Sequence, residues 1–306
     1  MRATFSKLLA QAAQEDERLV LLTGDHGYAL FDEFRKICPD RFINCGVAEQ
    51  NMVGVAAGLA KAGFRPIVYG LSAFVPIRVL EQIKIDVCYE SLPVIFVGDG
   101  AGVVYSTLGA SHQCTEDIAA LRAIPNIDIF SPADRFELEY CFRQMRASEG
   151  PSYLRFGKAD CGDIHHAVLD APIGDLIQVR LGSASYGLIA TGSMVSQAIR
   201  LSDEIGNIPV WSVPSLVPLN VTQLVQLCRP LARVFSIEEH SIHGGLGSLM
   251  AEVLSEKAVG RLTRLGTDGK FSEVCGSYHY LLSRHGLGMQ ELRSKIEHTL
   301  VSDMNN

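Results

Sequence analysis

The sequence predicts an α/β protein of two domains, each a mostly parallel sheet flanked by helices. Three observations carry this prediction. Short β-branched and aromatic runs alternate with segments of helical period. Continuous apolar runs of that length suit strands buried on both faces, and strand–helix–strand repeats make parallel sheet. A stretch at 158–174 (KADCGDIHHAVLDAPIG) has no clear period and carries Gly and Pro, so it divides the chain into two α/β series. The length, 306 residues, suffices for two α/β domains and exceeds what one small core needs.

The elements follow in order. The opening MRATFSKLLAQAAQEDERLV is an amphipathic helix interrupted by charge, without the apolar core of a signal peptide. Strands are expected at 20–25, 65–70, 93–98, 127–132 and 151–156. Between them lie helices at 49–63, with Gly63 as C-cap, at 78–89 and at 134–147. After the linker, strands are expected at 187–192, 209–214 and 233–240, with helices at 193–204, 246–256 and 289–299. The first domain is placed at 1–165 and the second at 175–306.

Composition narrows the function. The chain is 47% hydrophobic and 20% charged, with net charge −7. No basic run interleaves with aromatics, which argues against nucleic acid as a partner. No apolar run reaches the roughly 20 residues that span a bilayer. The eight cysteines are scattered without metal-ligand spacing and read as reduced thiols of a cytoplasmic protein.

Several segments can carry chemistry. In GVAEQNMVGVAAGLAKAG (46–63), Gly54, Ala56, Ala57, Gly58 and Ala60 are expected to cover one side of the helix, which suggests close packing on a neighbour. Glu49 falls in its first turn, where a carboxylate gains from the helix dipole. It is either a helix-start acid or a buried carboxylate at an interface between chains. In LGASHQCTED (108–117), His112 lies on a loop at the C-terminal side of a parallel sheet, where such folds bind ligands. It can do acid–base work near neutral pH or cap a helix. HGGLGSLMAEVL (243–254) lacks the P-loop and dinucleotide fingerprints and reads as a tight turn with close backbone packing.

Taken in order, DRFINCGVAEQNMVGVAAGLAKAG, AFVPIRVLEQIK, GASHQCTEDIAALRAIPN, SPAD, GPSYLRFGK, ATGSMVSQA, VPSLVPLN, EEHSIHGGLGSLMAEVL and HGLGMQEL resemble the transketolase family over nearly the whole chain. The match is to the C-terminal subunit of its split-gene members, which carries the pyrimidine-binding and C-terminal domains. The resemblance implies thiamine diphosphate as cofactor, transfer of a two-carbon ketol unit, and a sugar or sugar-derived substrate. It assigns Glu49 to N1′ of the aminopyrimidine, Phe74 to stacking on that ring, and Asp25 to the neighbourhood of the cofactor. His112 would contact the substrate carbonyl or hydroxyl end, Arg155 the acceptor phosphate, and Arg2 would be a second such arginine. Gly98-Asp99-Gly100 followed by Asn126 imitates the family's magnesium–diphosphate motif. Asn126 follows Pro125 in a loop, however, and the chain has no length left for a diphosphate domain. A separate N-terminal subunit is therefore expected to carry that domain and the Mg2+ ligands, in an α2β2 assembly.

The departures bear on substrate. Where the family has an acceptor-reading Asp, this chain has Leu108; where it has a substrate histidine, Gly100. The phosphate-binding serine after the first strand is not evident, and His26 and Tyr28 occupy that region. The expected consequence is an atypical acceptor, with an opening near Gly100 and an apolar Leu108. Two alternatives remain at this stage: a pyruvate-decarboxylating synthase of the deoxyxylulose-phosphate-synthase type, and a non-catalytic scaffolding subunit.

Overall fold

The computed structural model describes residues 1–27, 29–157 and 161–304; Tyr28 and the start of the expected linker, Lys158–Asp160, lie outside them. The first series runs α1 (Arg2–Glu15), β1 (Leu19–Thr23), α2 (Asp32–Ile37), β2 (Phe42–Asn44), α3 (Glu49–Lys61), β3 (Arg65–Leu71), α4 (Leu80–Gln82), β4 (Ile95–Asp99), α5 (Asp117–Arg122), β5 (Asp128–Phe130), α6 (Arg135–Ala147) and β6 (Ser152–Phe156). The helix expected at 78–89 is irregular: α4 is preceded by a 3-10 turn, Ile77–Val79, and followed by a π-helical run, Ile83–Cys88. The second series runs β7 (Ile177–Arg180), β8 (Tyr186–Ala190), α7 (Met194–Ile205), β9 (Val210–Ser212), β10 (Ser215–Val217), α8 (Val221–Cys228), β11 (Arg233–Ser241), α9 (Leu246–Glu256), β12 (Leu262–Thr267), α10 (Tyr278–Arg284) and α11 (Met289–Met304).

Two sheets result. The seven-stranded sheet has the order β10-β5-β6-β4-β3-β1-β2 and is parallel except for β10. The five-stranded sheet has the order β12-β11-β8-β9-β7 and is parallel except for β7. β1, β3, β4 and β6 are buried along their whole length, as their unbroken apolar runs require. One face of the large sheet is covered by α1, α2 and α6 through Phe5, Leu9, Phe34 and Phe142. The core on the other face takes in Met52, Val53 and Ala56 of α3 and continues without a break to Trp211, Leu224 and Met250 of the second series.

The halves are joined by backbone as well as by core. β10 belongs to the second series in sequence but pairs antiparallel with β5. Ser241 N–H donates to Thr115 O at 2.7 Å, and Arg122 donates to Gly244 O at 2.9 Å. The loop at 243–247 is a close approach, as its glycines suggest. A Cβ on Gly244 (φ 82°) would overlap Ala119, and one on Gly245 would overlap the Glu238 carboxylate. Glu238 itself caps α9, accepting from Leu246 N–H at 2.7 Å and Gly247 N–H at 2.8 Å. The anion held at this helix N-terminus is the chain's own.

The small residues of α3 do not share one side. Ala56, Ala57 and Ala60 pack into the core, whereas a Cβ on Gly54 or Gly58 would meet nothing within 4 Å.

Candidate functional site

Chain order places β2 on one side of β1 and β3 on the other, so the connections leave in opposite directions and open a crevice at the strands' C-terminal ends. The loops that follow β1, β2, β3 and β4 converge there. His26 follows β1, Glu49 starts α3 after β2, Phe74 follows β3, and His112 ends the 3-10 turn Ala110–His112 after β4.

Phe74 is the hub. Its ring centroid lies 6.1 Å from that of His26 and 5.6 Å from that of His112, the latter edge-on. The Arg78 guanidinium sits 4.1 Å over the same ring. Arg78 also donates Nη1 to Glu49 Oε2 at 2.8 Å. Glu49 is 3% exposed, and its second oxygen, Oε1, is buried without a hydrogen-bond partner among the described residues. Gly24 keeps the space beside it clear, for a Cβ there would lie 3.7 Å from Oε1 and 3.2 Å from Gly46 O. A buried carboxylate with one oxygen anchored and the other unmet is costly unless a donor from outside the chain completes it.

Asp25 stands at the exposed rim with φ 64°, and its N–H donates to Asn44 Oδ1 at 3.0 Å. The His26 Nδ1 atom is buried without a hydrogen-bond partner among the described residues. His112 is partly buried and shares a 3.0 Å hydrogen bond, through Nδ1, with Ser111 Oγ. Leu108, 53% exposed, tips the same loop.

Behind the loop lies a second cluster. Asp99, 1% exposed, accepts from Tyr69 OH at 2.7 Å and pairs with Arg2 Nε at 3.1 Å. Tyr105 bonds Asp99 as well; burial first, then the Asp99 charge, pushes its hydroxyl up to about 12. The Tyr105 ring lies 6.5 Å from that of His112.

Two expectations need correction. The first is the opening at Gly100. A Cβ there would overlap the Tyr105 ring, so tyrosine fills the volume that the missing side chain was expected to vacate. The second is Arg155. It is 3% exposed, its Nε bonds Asp117 at 2.8 Å, and its Nη2 donates to Glu239 O at 3.0 Å. The guanidinium is engaged between the two halves of the chain, not presented to a ligand. Burial alone pushes the Asp117 carboxyl up, but Arg155 and then His240 outweigh it and hold it below the ordinary value. Arg2, by contrast, remains one-third exposed beside Asp99.

The Asp99 and Asn126 of the magnesium-like pattern serve separate partners. Asp99 takes Tyr69 and Arg2, while Asn126 (φ 68°) donates Nδ2 to Cys88 O at 3.1 Å. Among the described residues no group of three or more His, Cys, Asp or Glu is arranged to hold a metal. Five of the eight cysteines are buried, and no described helix is long and apolar enough to cross a membrane.

Arg78 and Tyr105 were not singled out from sequence. The one signal for Arg78 is its closeness in sequence to Phe74, four residues before it; Phe74 itself lies in a turn ahead of the 3-10 turn Ile77–Val79. Tyr105 carries no comparable signal, because its partner Gly100 is revealed by the folded loop.

The family described as transketolase, pyrimidine binding domain, matches residues 1–162, and transketolase, C-terminal domain, matches residues 182–275. A 6-deoxy-6-sulfo-D-fructose transketolase subunit from Clostridium sp. (strain MSTE9) is 33% identical, over 95% of this chain and 92% of that relative. One of the subunits of the apulose-4-phosphate transketolase of Phocaeicola vulgatus is 31% identical, over 94% and 93%. A solved split-gene transketolase, described as an inactive β4 tetramer, superposes with TM-score 0.86 at 31% identity, covering 98% of this chain and 97% of that one. With the crevice at β1 and β3, the half-satisfied Glu49 and both matched domains in sequence order, the chain belongs to the transketolase family, as a subunit carrying the pyrimidine-binding and C-terminal domains of a thiamine-diphosphate-dependent transferase.

Proposed function

We propose that the chain is one subunit of a two-chain enzyme that moves a two-carbon ketol unit from a ketose donor to an aldehyde or ketone acceptor. The observation that carries this reading is Glu49 Oε1: buried, without a partner among the described residues, and beside the open flank of Gly24. The residues fit an aminopyrimidine. Glu49 can share a proton with N1′ through Oε1 while Arg78 anchors Oε2. Phe74 offers a ring face; Arg78 covers one side of it, so a pyrimidine stacks on the other or displaces the guanidinium. Thiamine diphosphate, when bound, supplies the carbon nucleophile that carries the two-carbon unit. His112, edge-on to Phe74, is placed to hold or give a proton at a substrate oxygen.

The diphosphate and Mg2+ are assigned to a partner subunit, with two copies of each chain in the assembly. What supports this is the engagement of Asp99 and Asn126 by other groups, and the outer face of α3. Gly54 and Gly58 are open there, Val55 is 36% exposed, and Val47, Ile85 and Tyr89 nearby are 73%, 47% and 82% exposed. A helix-interior glycine costs about 1 kcal/mol against alanine, so two on a face that meets nothing in this chain fit close approach by another.

The acceptor is atypical. Leu108 stands exposed on the His112 loop and its side chain can accept no hydrogen bond, so that position lacks the acceptor with which the family reads a hydroxyl. The relatives named for 6-deoxy-6-sulfo-D-fructose and apulose 4-phosphate carry the names of ketoses, so they bear on the donor and favour an unusual sugar there as well. The test is calorimetric titration of thiamine diphosphate and Mg2+ into the chain alone and into its mixture with a diphosphate-domain subunit. Donor assays on the mixture then use 6-deoxy-6-sulfo-D-fructose, apulose 4-phosphate and pyruvate. Binding in the mixture with ketose turnover supports the proposal. Carbon dioxide release from pyruvate would replace it with a decarboxylating synthase, and no binding in either case would leave a scaffolding role.

A further inference from the structure

The loop that carries His112 is held from both halves of the chain. Its neck is closed within the first series, where Gly102 and Cys114 exchange backbone hydrogen bonds of 2.7 and 2.9 Å. Beyond the neck Tyr105 bonds Asp99 and His112 meets Phe74 edge-on within the first series, and the remaining contacts come from the second. Glu239 Oε1 accepts Val103 N–H at 2.8 Å, and a Cβ on Gly102 would overlap the same carboxylate. Gly276 N–H donates to Ser106 O at 3.2 Å. Cys275 Sγ lies 3.3 Å from the Cβ position of Gly109. Ser272 Oγ donates to Gln113 Oε1 at 2.6 Å and shares a 2.7 Å hydrogen bond with His285 Nε2. Residues 103, 106, 109 and 113 are thus each gripped by residue 239 or by the segment 272–276.

Glu239 is an expensive choice of adhesive. It is 3% exposed, and the donors that meet its carboxylate among the described residues are neutral: Val103 N–H, Ser193 Oγ and Tyr278 OH. Apolar packing would join two domains at lower desolvation cost. A carboxylate adds direction, because it fixes one backbone N–H of the loop in one place.

We propose that the C-terminal domain is a positioning device for the His112 loop, with Glu239 and Ser272 setting where His112 stands beside Phe74 and where Leu108 stands on the same loop. This rests on the reading of His112 as substrate-facing. Glu239 and Ser272 are positioning residues, since neither reaches Phe74 or Glu49.

The test compares Glu239→Ala, Glu239→Gln and Ser272→Ala in the full chain, by hydrogen exchange on the chain itself and by titration and kinetics on the assembled enzyme. In Glu239→Ala the amides of 103–112 should exchange at least about tenfold faster, with β4 and β6 unchanged, and Glu239→Gln should restore most of the protection. Ser272→Ala should loosen 109–113 alone. In the assembled enzyme thiamine diphosphate affinity should hold within about twofold while kcat/KM for the acceptor falls about tenfold. Unchanged exchange across 103–113 in Ser272→Ala and Glu239→Ala would overturn the proposal, as would cofactor affinity falling in step with activity. Should Glu239→Ala not fold, Ser272→Ala decides alone. Absent turnover in the unaltered enzyme would sink the functional reading and leave the exchange result to judge the positioning.

Discussion

At the scale of single residues the site turns on which polar atoms are already satisfied. Glu49 and Arg155 are equally visible in the sequence as charged residues at the edges of apolar segments, and both are buried. Their fates differ because Arg155 finds Asp117 and a carbonyl, whereas Glu49 finds one arginine nitrogen and keeps Oε1 unmet. Glu49→Gln preserves shape and removes the carboxylate. Thiamine diphosphate binding by the assembled enzyme should then persist within about tenfold, while turnover falls by roughly 100-fold or more, read by calorimetry beside steady-state rates. Glu49 was legible because its helix start and the surrounding motif are local. Arg78 was not, because what marks it is a contact with both Phe74 and Glu49, 4 and 29 residues away in the chain.

Single elements carry two further consequences. The outward glycines of α3 leave its exposed face narrow. Gly58→Leu should leave the isolated chain as stable or more stable, by up to about 1 kcal/mol, because leucine is the better helix former. The same change should weaken association with the partner subunit at least about tenfold in sedimentation, since a bulky side chain blocks close approach. The start of α9 concerns pH. Burial pushes Glu238 up to about 7, against the pull of the Gly247 and Leu246 N–H groups. A carboxyl raised from 4.5 contributes stability that is complete below that pH and is lost as pH rises through about 7. The opposite sign holds for His240, which burial pushes down to about 4 from 6.5. Its contribution is full above 6.5 and is lost as pH falls through about 4. Urea unfolding across pH 4–8 should show the two slopes partly cancelling in the unaltered chain. In Glu238→Gln, stability should rise cleanly with pH up to 6.5, after an overall loss of roughly 1–2 kcal/mol for one misdirected N–H.

Across the whole molecule the two sheets behave as one unit. β10 extends the first sheet from the second series, and the Arg155–Asp117 pair is roofed by Glu239 and His240 of β11. Arg155→Met should destabilise the chain by about 3–5 kcal/mol, because Asp117 is left buried and charged. Adding Asp117→Asn should recover part of that loss, and a double-mutant cycle by chemical denaturation measures the difference. The sequence by itself determined the α/β class, the long strands and helices, the place of Glu49 in the first turn of α3, and the place of Phe74 and His112 after strands. Those features follow from periodicity and punctuation within a dozen or so residues. Short elements such as β2, β7 and β10 escaped because three or four residues carry no period, and partners distant in the chain define them. Tertiary structure alone decided that Tyr105 fills the space at Gly100, that Arg155 is withdrawn into the core, and that the C-terminal half grips the His112 loop. Whether a buried polar group is spent or available depends on what lies within three ångströms in space, and neighbours in sequence do not report that.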